Sequence, residues 1–131
     1  MIVVDTNVIA YLFIKGDFTH HAKKLLRQDQ DWIAPVLWRS EFRNVLVNYY
    51  RYQYYSKPEI FLLMNKAEML MKGHEYHVNS RNVLETAMNS DCSAYDSEYI
   101  SLALDLNIPL ITTDNKILKS FPEIAKNLTD Y

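Results

Sequence analysis

Apolar residues recur along this chain in two rhythms. Ile2 to Val4 is a short β-branched run ending at Asp5, the pattern of a strand covered on both faces. Thr6 to Ile14 then carries Val8, Ile9, Leu12 and Phe13 at helical spacing, and Gly16-Asp17 breaks it. Thr19 is placed to cap a second helix, His20 to Gln28, with Ala22, Leu25 and Leu26 inward. Trp32-Ile33-Ala34 reads as a second strand before Pro35, and a long helix is expected from about Val36 to Tyr52. Ser56 and Glu59 have capping-box spacing around Pro58 and open a helix through Met71. Glu75 to Val78 is expected as a third strand, and Ser80 as the cap of a helix to about Asn89. Ser93 and Asp96 repeat the Ser-x-x-acid spacing ahead of a helix to Leu106, which Asn107 ends. Pro109 to Thr112 is a fourth apolar strand leading to Asp114, and Lys126 to Thr129 is a candidate edge strand.

Short apolar strands alternating with helices predict an α/β fold, a mainly parallel sheet covered by helices, with right-handed crossovers. Ligands in such sheets bind beyond the carboxyl ends of the strands. Asp5 and Asp114 fall at that edge.

Composition narrows the class. A chain of 131 residues, 49% hydrophobic and 23% charged, suits a single domain over 1–131 and argues against disorder. No apolar run approaches the roughly 18 residues of a membrane span, and the N-terminus does not read as a signal peptide. A single cysteine, Cys92, cannot form an internal disulfide and is expected as a small buried residue; together these features favour a cytoplasmic protein. The net charge of −2 does not announce a nucleic-acid binder, but a local patch or a bound metal can supply positive charge.

The acids are the candidate chemistry. Asp5 and Asp114 each suit the end of a strand as a helix cap, but two carboxylates brought together repel unless a cation or a shared proton compensates. A hard divalent ion such as Mg²⁺ or Mn²⁺ takes oxygen ligands and fits such a cluster. Glu41 shares an apolar helical face with Leu37 and Val45, which is costly unless it is paired or ligating; Arg39 and Arg43 are the nearby pairing candidates. Asp96 suits a capping box as well as a site.

Four segments taken in order resemble the motifs of the PIN-domain nucleases. They are Val3-Val4-Asp5-Thr6-Asn7, Ser40-Glu41-Phe42-x-Asn44-Val45-Leu46, Ala94-Tyr95-Asp96-x-x-Tyr99-x-x-Leu102-Ala103, and Pro109-Leu110-Ile111-Thr112-Thr113-Asp114-x-x-Ile117-Leu118. The resemblance runs from residue 2 to about 121. It implies a three-layer α/β/α fold in which Asp5, Glu41, Asp96 and Asp114 bind one or two Mg²⁺ or Mn²⁺ ions and cleave RNA. It also implies supporting hydrogen bonds from Asn7, Thr112 and Ser93. Some members carry a further acid after the fourth, where this chain has Asn115 and Lys116. The compact length resembles the VapC-type ribonuclease toxins of toxin–antitoxin pairs, which implies a protein antitoxin and a homodimer.

Other residues have simpler expectations. Lys116, two positions from Asp114, is the candidate phosphate contact. Tyr49-Tyr50-Arg51-Tyr52-Gln53-Tyr54-Tyr55 is too aromatic to hide on one helix, and Tyr50 and Tyr54 are assigned to a protein interface ahead of base stacking. Trp32 and Trp38 are expected in the core, and the four histidines complete no zinc set. The competing readings are a PIN nuclease of RNA maturation and a non-catalytic PIN-like binding module. A phosphotransferase with an Asp nucleophile usually wants an acid two residues after the first, and position 7 is Asn.

Overall fold

Five short strands lie side by side and all run in the same direction, in the order β3-β2-β1-β4-β5. The computed structural model describes residues 1–131. In chain order the elements are β1 (Ile2–Val4), α1 (Thr6–Phe13), α2 (Thr19–Gln28), β2 (Trp32–Pro35), α3 (Trp38–Arg51), α4 (Lys57–Met71), β3 (Glu75–Tyr76), α5 (Ser80–Met88), α6 (Ala94–Leu106), β4 (Leu110–Thr112), α7 (Asn115–Ser120) and β5 (Ala125–Asn127), closed by a 3₁₀ turn at Leu128–Asp130. The strands are short and apolar because both faces are covered. β1, β2 and β4 are buried at every position. Helices α1 to α4 pack among themselves, while α6 lies across β1, β2 and β4 and carries α5.

The core joins 28 buried residues, with Trp32, Trp38, Tyr99 and Phe42 the largest fully buried side chains. Both tryptophans are therefore core residues, and Cys92 is a free, buried thiol. Truncating a β-sheet residue such as Ile111 to Ala would cost on the order of 2–5 kcal/mol, through lost transfer energy and the cavity left behind.

Several local expectations shift by a residue or two. Val36 and Leu37 belong to the turn ahead of α3, since Arg39 N–H donates to the Val36 carbonyl at 3.1 Å. At the far end Tyr52 caps α3 and the chain reverses at Gln53, which takes a left-handed φ of 63°. Thr19 is the first residue of α2 and not its cap. Its hydroxyl accepts from Gly16 N–H at 2.9 Å and donates to the Ile14 carbonyl at 3.2 Å, closing the α1–α2 turn. Asn79, not Ser80, caps α5 by accepting from Asn82 N–H. The capping box of Ser56 and Glu59 forms in both directions. Asn107 ends α6 in the left-handed conformation, with φ 52°. The third strand stops at Tyr76, and the edge strand starts at Ala125 and pairs parallel to β4.

Candidate active site

The strand order reverses direction at β1: the chain goes to β2 on one side and later returns to β4 on the other. Open α/β sheets present their crevice at such a point, beyond the carboxyl ends of the strands. Register brings the two flanking strand ends together. Val4 lies opposite Ile111, and Asp5 N–H donates to the Ile111 carbonyl at 3.1 Å. Helices α1, α3, α6 and α7 each start within a few residues of one of the four acids. The positive ends of their macrodipoles therefore face the carboxylates.

Asp5 occupies the cap position of α1, yet its side chain makes no capping hydrogen bond. Its Oδ2 accepts instead from the Thr112 hydroxyl at 2.8 Å, and Thr112 Oγ1 accepts in turn from Asp114 N–H at 3.0 Å. Burial and the charges of Glu41 and Asp96 outweigh that hydrogen bond and push the Asp5 carboxyl up to about 6. Asp114 caps α7 through Oδ1 alone, accepting from the Lys116 and Ile117 N–H groups at 2.8 and 3.1 Å. Its second oxygen receives neither of those bonds.

Asp96 lies in the first turn of α6, where its N–H donates to the Ser93 hydroxyl at 3.0 Å. The reciprocal half of a capping box does not form, unlike at Ser56. Burial, followed by Asp114 and Glu41, raises the Asp96 carboxyl, while the Lys116 ammonium pulls it down. Lys116 thus lies within electrostatic reach of the acids.

Glu41 forms no ion pair with Arg39. That arginine binds Glu68 Oε2 at 2.6 Å and the two oxygens of Glu75 at 2.6 and 2.8 Å. Arg43 is exposed. Two neutral hydroxyls hold Glu41 instead: Oε1 accepts from Tyr99 at 2.6 Å and from Thr6 at 2.8 Å. Neither hydroxyl stands out in the sequence as a site residue. The available signal is positional, since Thr6 follows Asp5 directly and Tyr99 lies one helical turn after Asp96. A third unforeseen group is Glu98, which burial and the Glu41 charge push upward.

The four acids are thus brought to one edge, where Glu41 and Asp96 act on Asp5, and Asp114 and Glu41 act on Asp96. The supporting residues divide. Thr112 bonds Asp5, and Ser93 caps the helix carrying Asp96. Asn7 is exposed and takes no part in the hydrogen bonds of Asp5. The donor set is wholly carboxylate, half-buried and without an arginine on any of the four acids, which fits a hard divalent cation. No three of these side chains converge to direct-ligation spacing, so water or substrate oxygens would complete the coordination shell, as Mg²⁺ commonly requires.

Tyr49, Tyr52, Tyr54 and Tyr55 line a groove of about 670 Å³ with Lys15 and Asn48, at the end of α3 opposite to Glu41. Helical rise puts Asn48 and Tyr49 roughly 10–12 Å from Glu41 along that helix. Tyr50, 43% exposed, stands on the adjoining surface, and Tyr54 is 71% exposed.

A doubly covered parallel sheet with carboxylates gathered at its switch point defines a class of α/β domain built around an acidic edge. Within that class the chain belongs to the PIN domain family, whose model matches residues 2–126. No curated protein matches the sequence significantly. Among solved structures, the fold is similar to FitAcB from Neisseria gonorrhoeae, with a TM-score of 0.75 at 14% identity and full coverage of both chains. It is also similar to FitAB bound to an IR36 DNA fragment, with a TM-score of 0.74 at 15% identity over 98% of this chain and 95% of that one. A toxin–antitoxin complex from Klebsiella pneumoniae gives 0.63 at 18% identity over 98% of each chain.

Proposed function

We propose that this protein is a metal-dependent endoribonuclease and the toxin of a toxin–antitoxin pair. One observation supports the enzymatic part: acids from four separate segments lie along the sheet's switch-point edge within electrostatic reach of one another, with Asp5 half-buried there against its own electrostatic preference. A site built only to stabilise the fold gains nothing from that repulsion. Membership of the PIN domain family and the fold shared with a toxin–antitoxin complex support the biological part.

In this reading Asp5, Glu41, Asp96 and Asp114 hold one or two Mg²⁺ or Mn²⁺ ions. A cation held by these residues would supply an activated water and polarise the phosphoryl group. Thr112 fixes the Asp5 carboxylate by its hydroxyl, and Asp114 presents the oxygen that its helix cap leaves free. Lys116 meets the phosphate of the RNA beside Asp96. Tyr50 and Tyr54, with the adjoining tyrosine groove, form the docking surface for the antitoxin or a second subunit, where Tyr and Arg are favoured.

The test is cleavage of a structured RNA pool and of single-stranded DNA by wild type and Asp96→Asn, with Mg²⁺, with Mn²⁺ and with EDTA. RNA cutting by wild type alone, abolished by EDTA, is the expected result. Equal cutting by both proteins would remove Asp96 from the mechanism. Cutting of DNA in preference to RNA would overturn the substrate class.

A further inference from the structure

Glu41 has three side-chain torsions and sits in the field of Asp5, Asp96 and Glu98. Left to itself, a flexible carboxylate in that field would turn toward solvent. It is retained by Oε1, on which the hydroxyls of Tyr99 and Thr6 converge, with the two hydroxyl oxygens also in contact with each other. Both anchors are rigidly seated: Tyr99 is 1% exposed and Thr6 4%. Oε2 receives neither bond.

The chemical type of the anchor is informative. An arginine would hold Glu41 as firmly, but it would cancel one negative charge of the site. The arginine two residues away, Arg39, is committed to Glu68 and Glu75 instead. Two neutral donors orient the carboxylate and leave its charge available to a cation. Packing alone does not require the phenol oxygen, because a phenylalanine would fill the same core volume.

We propose that Tyr99 is a positioning residue: with Thr6 it pins Glu41 by one oxygen, so that the other is this residue's single point of action on the cation and its water. The inference rests on the metal-dependent nuclease reading above. Glu41 then acts as a one-oxygen ligand or water-orienting group, and its aim is set by a residue on α6, the helix that also carries Asp96. The third motif would thus contribute both an acid and the orientation of the second motif's acid.

Tyr99→Phe keeps the ring and removes the donor, and Thr6→Val removes the other donor at nearly constant volume. Circular dichroism first establishes that each variant is folded. Calorimetric titration of the metal-free protein with Mn²⁺ is then expected to show roughly 10-fold weaker binding for Tyr99→Phe, the scale on which outer hydrogen-bond partners of ligands act. We expect kcat on RNA to fall by about 10-fold with KM within two-fold. In a Glu41→Gln background the same substitution should add less than about two-fold, because its effect passes through Glu41. Unchanged Mn²⁺ affinity and kcat in Tyr99→Phe would overturn the proposal, as would an undiminished loss in the Glu41→Gln background. If Tyr99→Phe does not fold, Thr6→Val decides by the same criteria. Wild type that binds Mn²⁺ with this dependence on Tyr99 yet cuts no RNA would sink the nuclease reading and leave the positioning role standing. Wild type that takes up no Mn²⁺ would sink the positioning role.

Discussion

At the scale of single residues, the energetics of the site run against the fold. Asp5 titrates near 6 in the folded chain against 3.8 ordinarily, chiefly because it is buried. The folded state therefore binds its proton more tightly than the unfolded chain does, and stability falls as pH rises from about 4 to about 6. Above that window the ionised carboxylate costs on the order of 2–3 kcal/mol, since each tenfold change in proton affinity is worth about 1.4 kcal/mol. Asp5→Asn, which can still accept from Thr112, is expected to be more stable than wild type by about that amount at pH 8 in EDTA. The advantage should shrink toward zero below pH 4. Urea unfolding of both proteins across that range checks it, and equal stability at pH 8 would contradict it. This is the behaviour of a group whose position serves a ligand before it serves stability. The acids stood out in the sequence as candidates: Asp5 and Asp114 at strand ends, Asp96 near a helix start and Glu41 on an apolar helical face. Of the hydroxyls around them, Thr112 and Ser93 were legible from the motifs, but those that hold Glu41 were not. Thr6 and Tyr99 lie inside the motifs without a role until tertiary packing brings them to Glu41.

At the scale of elements, the apolar rhythm located β1, β2 and β4 and most helix bodies, because both periods are set by burial against the sheet; the short α7 and the weakly patterned β5 carry little of it. Boundaries were less legible. Thr19 and Ser80 have good capping chemistry, but the chain caps α5 with the preceding Asn79 and uses Thr19 to close a turn; propensity cannot choose between adjacent cap formers. The pairing of Arg39 was equally hidden. It bridges α3 to Glu68 on α4 and Glu75 on β3, with Trp38 Nε1–H also donating to Glu75 at 2.9 Å. Hydrogen bonds from Arg39 hold the Glu75 carboxyl below its ordinary 4.5. Its contribution is therefore complete above that value and is lost as pH falls through the depressed folded value. Arg39→Met should lower stability by roughly 1–3 kcal/mol at pH 7, the cost of leaving partly buried carboxylates unpaired. The deficit should narrow as the solution is acidified through the depressed Glu75 value, where that carboxyl protonates in both proteins. Cleavage per folded molecule should stay near wild type, because the bridge lies outside the acid cluster.

At the scale of the whole molecule, cation binding and folding should be coupled. An ion that binds only the folded state stabilises it by about 2.7 kcal/mol at a hundred-fold excess over its Kd. Thermal unfolding of wild type is expected to rise by several degrees with Mn²⁺, reversibly with EDTA, for a chain of this size. Asp96→Asn should lose most of that shift, and an equal shift in both proteins would locate the ion elsewhere. The proposed partner surface has its own measurement. Tyr50→Ala with Tyr54→Ala should change oligomer size on a sizing column or abolish capture of the antitoxin, while leaving Mn²⁺ affinity intact. Unchanged assembly on both counts would vacate the interface assigned to these tyrosines.

The hydrogen bond from Thr112 to Asp5 spans 107 residues of sequence. During synthesis, β1 is made long before β4, its neighbour in the sheet. Asp5, Glu41 and Asp96 are likewise translated before Thr112 can anchor Asp5 and before Asp114 exists. A chain that stops short of β4 therefore cannot bring Asp114 or the Thr112 anchor to the acid edge. Under the proposed toxin function, the interval between translation and assembly would be time in which a partner could bind first.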